Sequence, residues 1–460
     1  MKLLLVSANR ERTPYPVFPL GLAFLAGPLE QAGHHLCVLD LCFEQDPPAA
    51  LAAMLDEERP DTIIISLRNL DNVTWPDTRS YLSALRELVD VCRGRATVVL
   101  GGSGFSLMPR EILAYCGADI GVVGEGEEIL PKLLDCLADC GSPAGLPGVV
   151  LPGSPDILPP CPVERIGSPD RKLFSIARYL EEGGMANIQT KRGCPFGCSY
   201  CTYPLLEGSR IRLRPVEEIL AEIRSLVHDH GVDYLYFVDD IFNFPTDFAG
   251  QLCAAMADDG LAVRWSAFIN PGFITPELLA TMQRAGCDAV EFGTDSGSPA
   301  MLKSMGKSFS VEDVRRASHL CADAGIDTAH YLLFGGPGET ENSILESFRL
   351  MDELAPTAVI AMTGVRIYPG TALYRTALEE GIITPDTDLL QPVFYLSAAV
   401  REQLTELVIR EAMQRRNWIV PGLEVNMSDA MLEALRRFKV RGPLWKLLKR
   451  SGRSRIAPMA

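Results

Sequence analysis

Two stretches of this chain alternate short apolar runs with helically spaced ones, and that alternation restricts the fold more than any other feature of the sequence. In the first stretch the candidate strands are Leu3–Val6, Leu36–Leu39, Thr62–Ser66, Thr97–Leu100 and Ile120–Val123. Each precedes a glycine, a polar loop or a segment with helical spacing. Strands separated by helices pair in parallel, because each helix carries the chain back across the sheet. The expectation is an α/β, doubly wound, flavodoxin-like domain over residues 1–141, with ligands at the carboxyl ends of its strands. The loops Ser7–Pro19, Ser66–Asn72, Gly101–Pro109 and Gly124–Glu127 would then carry its function.

From Ser142 to Arg171 the composition shifts to Pro, Gly and Ser, which predicts a linker over residues 142–185. A second alternation follows, with candidate strands Ala186–Thr190, Tyr234–Val238, Ala262–Ile269, Ala289–Gly293, Thr328–Phe334 and Ala358–Ile367. This pattern predicts a partial (β/α)6 barrel of the TIM type over residues 186–380, whose site again collects at the strand carboxyl ends. Residues 381–460 read as mainly helical, notably Ala398–Arg415 and Ser428–Phe438, and as a cap over the barrel mouth that sets substrate specificity.

The formal charge of −16 argues against nucleic acid, whose binding requires Lys and Arg to neutralise phosphates. The basic tail Arg436–Arg455 reads as a solvated terminal helix and frayed end. No uncharged apolar run approaches the roughly 18 residues that span a bilayer. The apolar start Met1–Ser7 is too short for an export signal, so the cytoplasm is the expected compartment. In that compartment the 13 cysteines stay reduced, available for metal or for packing.

Cys194, Cys198 and Cys201 stand in a CxxxCxxC loop directly after the first strand of the second alternation. Three thiolates on one short loop can grip three irons of a [4Fe-4S] cubane and leave the fourth iron open. A zinc loop or plain buried cysteines are the alternatives, but zinc needs a fourth ligand, and no second CxxC or His pair accompanies this one. Cys37, Cys92, Cys116 and Cys136 lie in apolar patterns where free cysteine is ordinary core filler.

In this place and spacing the motif resembles the radical S-adenosylmethionine (SAM) superfamily. The resemblance implies that the open iron chelates SAM. Asp239 and Asp240, ending the second strand, stand where that family faces the SAM methionine, although its frequent GGE triplet is here Val238-Asp239-Asp240. Asp295 and Ser296 end the fourth strand, where ribose or carboxylate contacts are implied, and Gly335 and Gly336 open a turn like the family's adenine-side loop. Tyr203 beside the cluster and His330 on a barrel strand are candidates to face substrate, with packing as the alternative for each.

A doubly wound domain ahead of such a barrel resembles the cobalamin-binding domain of the cobalamin-dependent class. The matching loops place Ser66, Leu67, Arg68, Asn69, Gly101, Gly102, Ser103, Gly124 and Glu125 around the cofactor. A DxHxxG ligand motif is absent. Arg68 resembles an arginine near the lower cobalt face of tryptophan-methylating relatives, and an ion pair with Asp71 or Asp40 is the alternative. Together the resemblances imply a methyltransferase that carries a methyl group from SAM, by way of cobalamin, to an unactivated carbon or phosphorus of a small-molecule or peptide substrate. They also imply an external electron donor of flavodoxin or ferredoxin type. Rearrangement or cyclisation, polar methylation without a radical, and a cobalamin-binding sensor are the other readings.

Overall fold

A computed structural model describes residues 1–154, 156–436 and 440–448. Half of the basic tail, and Phe438 of the expected last helix, lie outside these residues. The first parallel sheet comprises β1 (Lys2–Ser7), β2 (His35–Asp40), β3 (Thr62–Ser66), β4 (Thr97–Gly101) and β5 (Ile120–Val122) in the order β2-β1-β3-β4-β5. Its inner strands are apolar along their length: Leu3 to Val6 and Ile63 to Ile65 are buried because helices cover both faces. The order reverses direction between β1 and β3, and that switch point opens the crevice where such sheets bind ligands.

The stretch expected to be a bare linker is partly structured. Its Val149–Val150, β6, pairs antiparallel with β5 and extends the first sheet. Ile176–Gly183 is helical, and its Tyr179 donates a 2.6 Å hydrogen bond to Asp40 of the first sheet.

The second sheet holds β7 (Ala186–Ile188), β8 (Tyr234–Phe237), β9 (Arg264–Ile269), β10 (Cys287–Asp295), β11 (Asp327–Phe334) and β12 (Ala358–Thr363), all parallel and in chain order. A seventh strand, β13 (Trp418–Ile419), joins β12 in parallel at the far edge. The carboxyl-terminal region is therefore not only helical, and it builds part of the barrel. Nor does all of it lie over the mouth: Trp445 packs against Ala289, Ala329 and Ala358, at the amino-terminal ends of β10, β11 and β12. Lys446 fixes it there through Asp288 at 2.7 Å. Alanine at those three strand starts leaves room for an indole, which stoppers the bottom of the bore.

The sheet is open between β7 and β13, and loops of the first domain face that gap. Asn187 donates to the Phe18 carbonyl at 3.1 Å, and Thr363 to the Trp75 carbonyl at 2.9 Å. No described helix is long and apolar enough to cross a membrane.

Candidate cofactor and substrate site

The three-cysteine loop leaves β7 and is pinned from two sides. Gly193 (φ +94°) has no room for a side chain, because a Cβ would collide with the Arg210 carbonyl. Its N–H donates to Glu207 at 3.0 Å, and the Cys194 N–H donates to the Gly208 carbonyl at 3.0 Å. On the other side the Ser199 N–H reaches the Met305 carbonyl at 2.9 Å. The thiols are unbridged, and burial pushes Cys194 up to about 11 and Cys201 to about 12. A bound metal is what would hold them as thiolates at neutral pH. Among the described residues no three His, Cys, Asp or Glu side chains are arranged to hold one metal ion.

Charged groups surround this loop. Asp239 is fully engaged: it accepts from the Thr190 N–H at 2.7 Å and from Lys191 Nζ at 2.9 Å, with the pair out of solvent. Asp240 Oδ2 has no partner, and burial together with nearby Glu207 and Asp239 lifts its carboxyl to about 8. Of the two aspartates, Asp240 is thus the one left free for a ligand. Asp295, held in the left-handed region (φ +60°), accepts from Lys307 at 2.8 Å and from the Tyr200 hydroxyl. Ser296 turns instead to Ser347 and to the Ser298 N–H, at 3.2 and 3.1 Å. In the glycine turn after β11, Gly335 has φ +99° and donates to Glu339 at 3.2 Å. A Cβ on Gly336 would stand 2.6 Å from Met305 Cε.

In the first domain a cavity of about 330 Å³ opens between the loops after β3, β4 and β5, and the barrel closes it. Ser66, Gly101, Gly102, Ser103, Gly124 and Glu125 border it. Gly102 (φ +98°) shows why small residues are required, since a Cβ there would lie 2.5 Å from the Leu67 carbonyl. Two members of the predicted set differ in role. Leu67 turns its side chain into the core and contributes backbone. Glu125 is clamped by Arg212 at 2.7 Å and by Arg192 at 3.4 Å, so it ties the cobalamin-side loop to the root of the cysteine loop.

Arg68 borders both this cavity and a larger one of about 1030 Å³ that fills the bore. The ion pairs weighed for it do not form, since Asp71 is taken by Arg366 at 3.0 Å and Asp40 by the Tyr179 hydroxyl. Asn69 lines the larger cavity, and Tyr203 faces the smaller. His330 requires correction. It is wholly buried in the barrel wall, bonded to Thr294 at 2.8 Å and Ser318 at 3.3 Å, and tilted against Phe292, with no face on either cavity. Burial lowers it to about 3, so it is a neutral packing residue.

Sequence reasoning did not find Glu207, Lys307, Arg212 or Glu291. The last carried a signal, a carboxylate inside the otherwise apolar run of β10, where only an inward-facing role makes sense.

Residues 188–351 match the radical SAM superfamily, and residues 6–134 match the B12 binding domain. The chain thus carries a radical SAM domain with a B12-binding domain ahead of it. Among relatives, it is 27% identical over 437 residues to a tryptophan 2-C-methyltransferase of Streptomyces laurentii, covering 79% of this chain and 73% of that one. It is 25% identical over 426 residues to an uncharacterised methyltransferase of Pyrococcus horikoshii, covering 89% and 91%. In fold it is similar to the radical SAM methyltransferase TsrM of Kitasatospora setae, solved with cobalamin and a [4Fe-4S] cluster (TM-score 0.87, 24% identity, 98% of each chain).

Proposed function

We propose that this protein is a cobalamin-dependent radical SAM methyltransferase acting on a small molecule held in the barrel bore. One observation carries the reading: the B12-side cavity and the bore meet at Arg68, Asn187 and Val238, beside the cysteine loop. When bound, the cluster, SAM and cobalamin supply a transferable methyl group and one-electron chemistry. The chain's residues bind and orient these groups. Cys194, Cys198 and Cys201 would hold three irons. Asp240, with Glu207 behind it, would receive the ammonium group of SAM, and the Gly335-Gly336 turn would leave backbone open to the adenine. Asp295 and Ser296 would order the rim between them. Ser66, Gly101, Gly102, Ser103 and Gly124 would admit the nucleotide tail of cobalamin, and Tyr203 would wall the two domains' ligands.

Arg68, without an ion-pair partner among the described residues, would place a cation beside bound cobalamin where the two cavities meet. That same observation favours a second reading, polar methylation without a radical, which absence of 5′-deoxyadenosine during turnover would select. For the radical reading, electrons would come from a flavodoxin- or ferredoxin-type donor in the cytoplasm.

The test is anaerobic reconstitution with iron, sulfide and hydroxocobalamin, followed by methyl-labelled SAM and candidate acceptors. Label in the acceptor is the expected result. Protein that retains no cobalamin, or a cluster whose paramagnetic spectrum ignores added SAM, would overturn the reading.

A further inference from the structure

The bore contains a carboxylate that no cation among the described residues balances. Glu291, at mid-strand on β10, is 1% exposed and accepts from Trp445 Nε1 at 3.1 Å and from the Tyr236 hydroxyl at 3.2 Å. Tyr331 is its third donor, and among the described residues no Lys, Arg or His pairs with it. Burial raises its carboxyl, because a buried charge held only by neutral donors is costly, and a bound cation is the natural complement that would keep it ionised. Tyr236, Tyr331 and Glu291 itself all stand in the wall of the larger cavity. Each phenol gives its proton to Glu291, so the lone pairs left on its oxygen are acceptors. This part of the bore therefore offers acceptors, aromatic faces and a carboxylate. The basic residues of the lining, Arg68 and Arg79, both belong to the first domain, and Arg79 is occupied by Asp77 at 3.2 Å.

From these contacts we infer that the acceptor substrate is a protonated amine on an aromatic or apolar frame, its ammonium seated against Tyr236 and Tyr331 and held by the charge of Glu291. Resting on the methyltransferase reading, this narrows it: an anionic phosphonate or carboxylate finds no cation at that depth and meets a like charge. Glu291 borders the bore beside the two phenols, so its charge reaches the ammonium directly as well as through them. It lies four residues below Asp295 at the rim, about 13 Å at roughly 3.3 Å per residue. A molecule anchored by its amine at this level presents its far end to the mouth, where the B12-side cavity begins.

The experiment uses reconstituted holoenzyme and measures anaerobic binding of phenylpropylamine, phenylpropanol and phenylpropylphosphonate, which share one frame and differ in charge. The amine is expected to bind about tenfold tighter than the alcohol, the gain of one charge-assisted contact, and the phosphonate weakest. Glu291→Gln, which keeps the shape, should bring amine and alcohol within about twofold of each other. Tyr331→Phe, an independent and milder change, should weaken the amine more than the alcohol. Equal binding of all three probes, no binding of the amine, or a preference that survives Glu291→Gln would overturn the inference. The cobalamin absorption and the response of the cluster to SAM are read on the same samples. If those are normal and the preference is missing, only the substrate class fails; if those are missing, the methyltransferase reading fails.

Discussion

The two rims that meet at Arg68 are made of different materials. On the first domain the rim is largely glycine and serine backbone, with Gly102 and Gly124 in the left-handed region, and its charged residues are Arg68, Glu125 and Glu127. On the barrel it is a set of buried ions, Lys191 with Asp239 and Lys307 with Asp295, while Arg192 and Arg212 reach across to Glu125 of the first domain. The first rim has room and would lose it to a single added carbon. The second would accept a change of volume far better than an unbalanced charge. The contrast fits one rim that admits a large cofactor tail and another that fixes a short loop in place.

The largest effect expected is from Cys198→Ala, which removes a cluster corner. Turnover is lost, and iron analysis with paramagnetic resonance should find no SAM-responsive cluster, while cobalamin still binds to the other rim. Arg212→Met strands Glu125 at the seam between rims. Breaking a buried pair costs about 3–5 kcal/mol, readable as a lower denaturation midpoint. Gly102→Ala adds one carbon where only glycine's backbone geometry fits. Cobalamin affinity should fall by about tenfold or more with the cluster spectrum intact, the strain amounting to about 1–3 kcal/mol.

Glu339 sharpens the comparison by pH. Burial raises its carboxyl to about 7 from the ordinary 4.5. Between those values the folded chain keeps a proton that the unfolded chain has released, so stability falls as pH rises, by up to about 1.4 kcal/mol per pH unit. Glu339→Gln should flatten that slope in denaturant titrations. The smallest effect on chemistry belongs to His330→Gln, which should cost about 1–3 kcal/mol of stability and leave turnover per folded molecule unchanged.

Strand positions were legible because burial on both faces leaves continuous apolar runs: β3 falls where Thr62–Ser66 predicts it, and the cysteine loop sits at the strand end that its spacing implies. Side-chain direction was not. Whether His330 faces the bore or the helices depends on the register of β11 in the closed sheet, which only its pairing with β10 and β12 fixes. The choice between Asp239 and Asp240 depended on Lys191, which lies far from both in the chain and adjacent in space. Val149–Val150 and Trp418–Ile419 were missed because two residues carry no period. Their partners make them strands.

Among the described residues the indole stopper closes the foot of the bore, and the opposite end faces the first domain. Whatever is methylated would then arrive past the place where the two domains face each other, and leave by the same route. Occupancy of that place by the large cofactor should therefore decide the sequence of arrivals, so that a substrate already seated inside waits behind it and a finished product cannot depart by the foot.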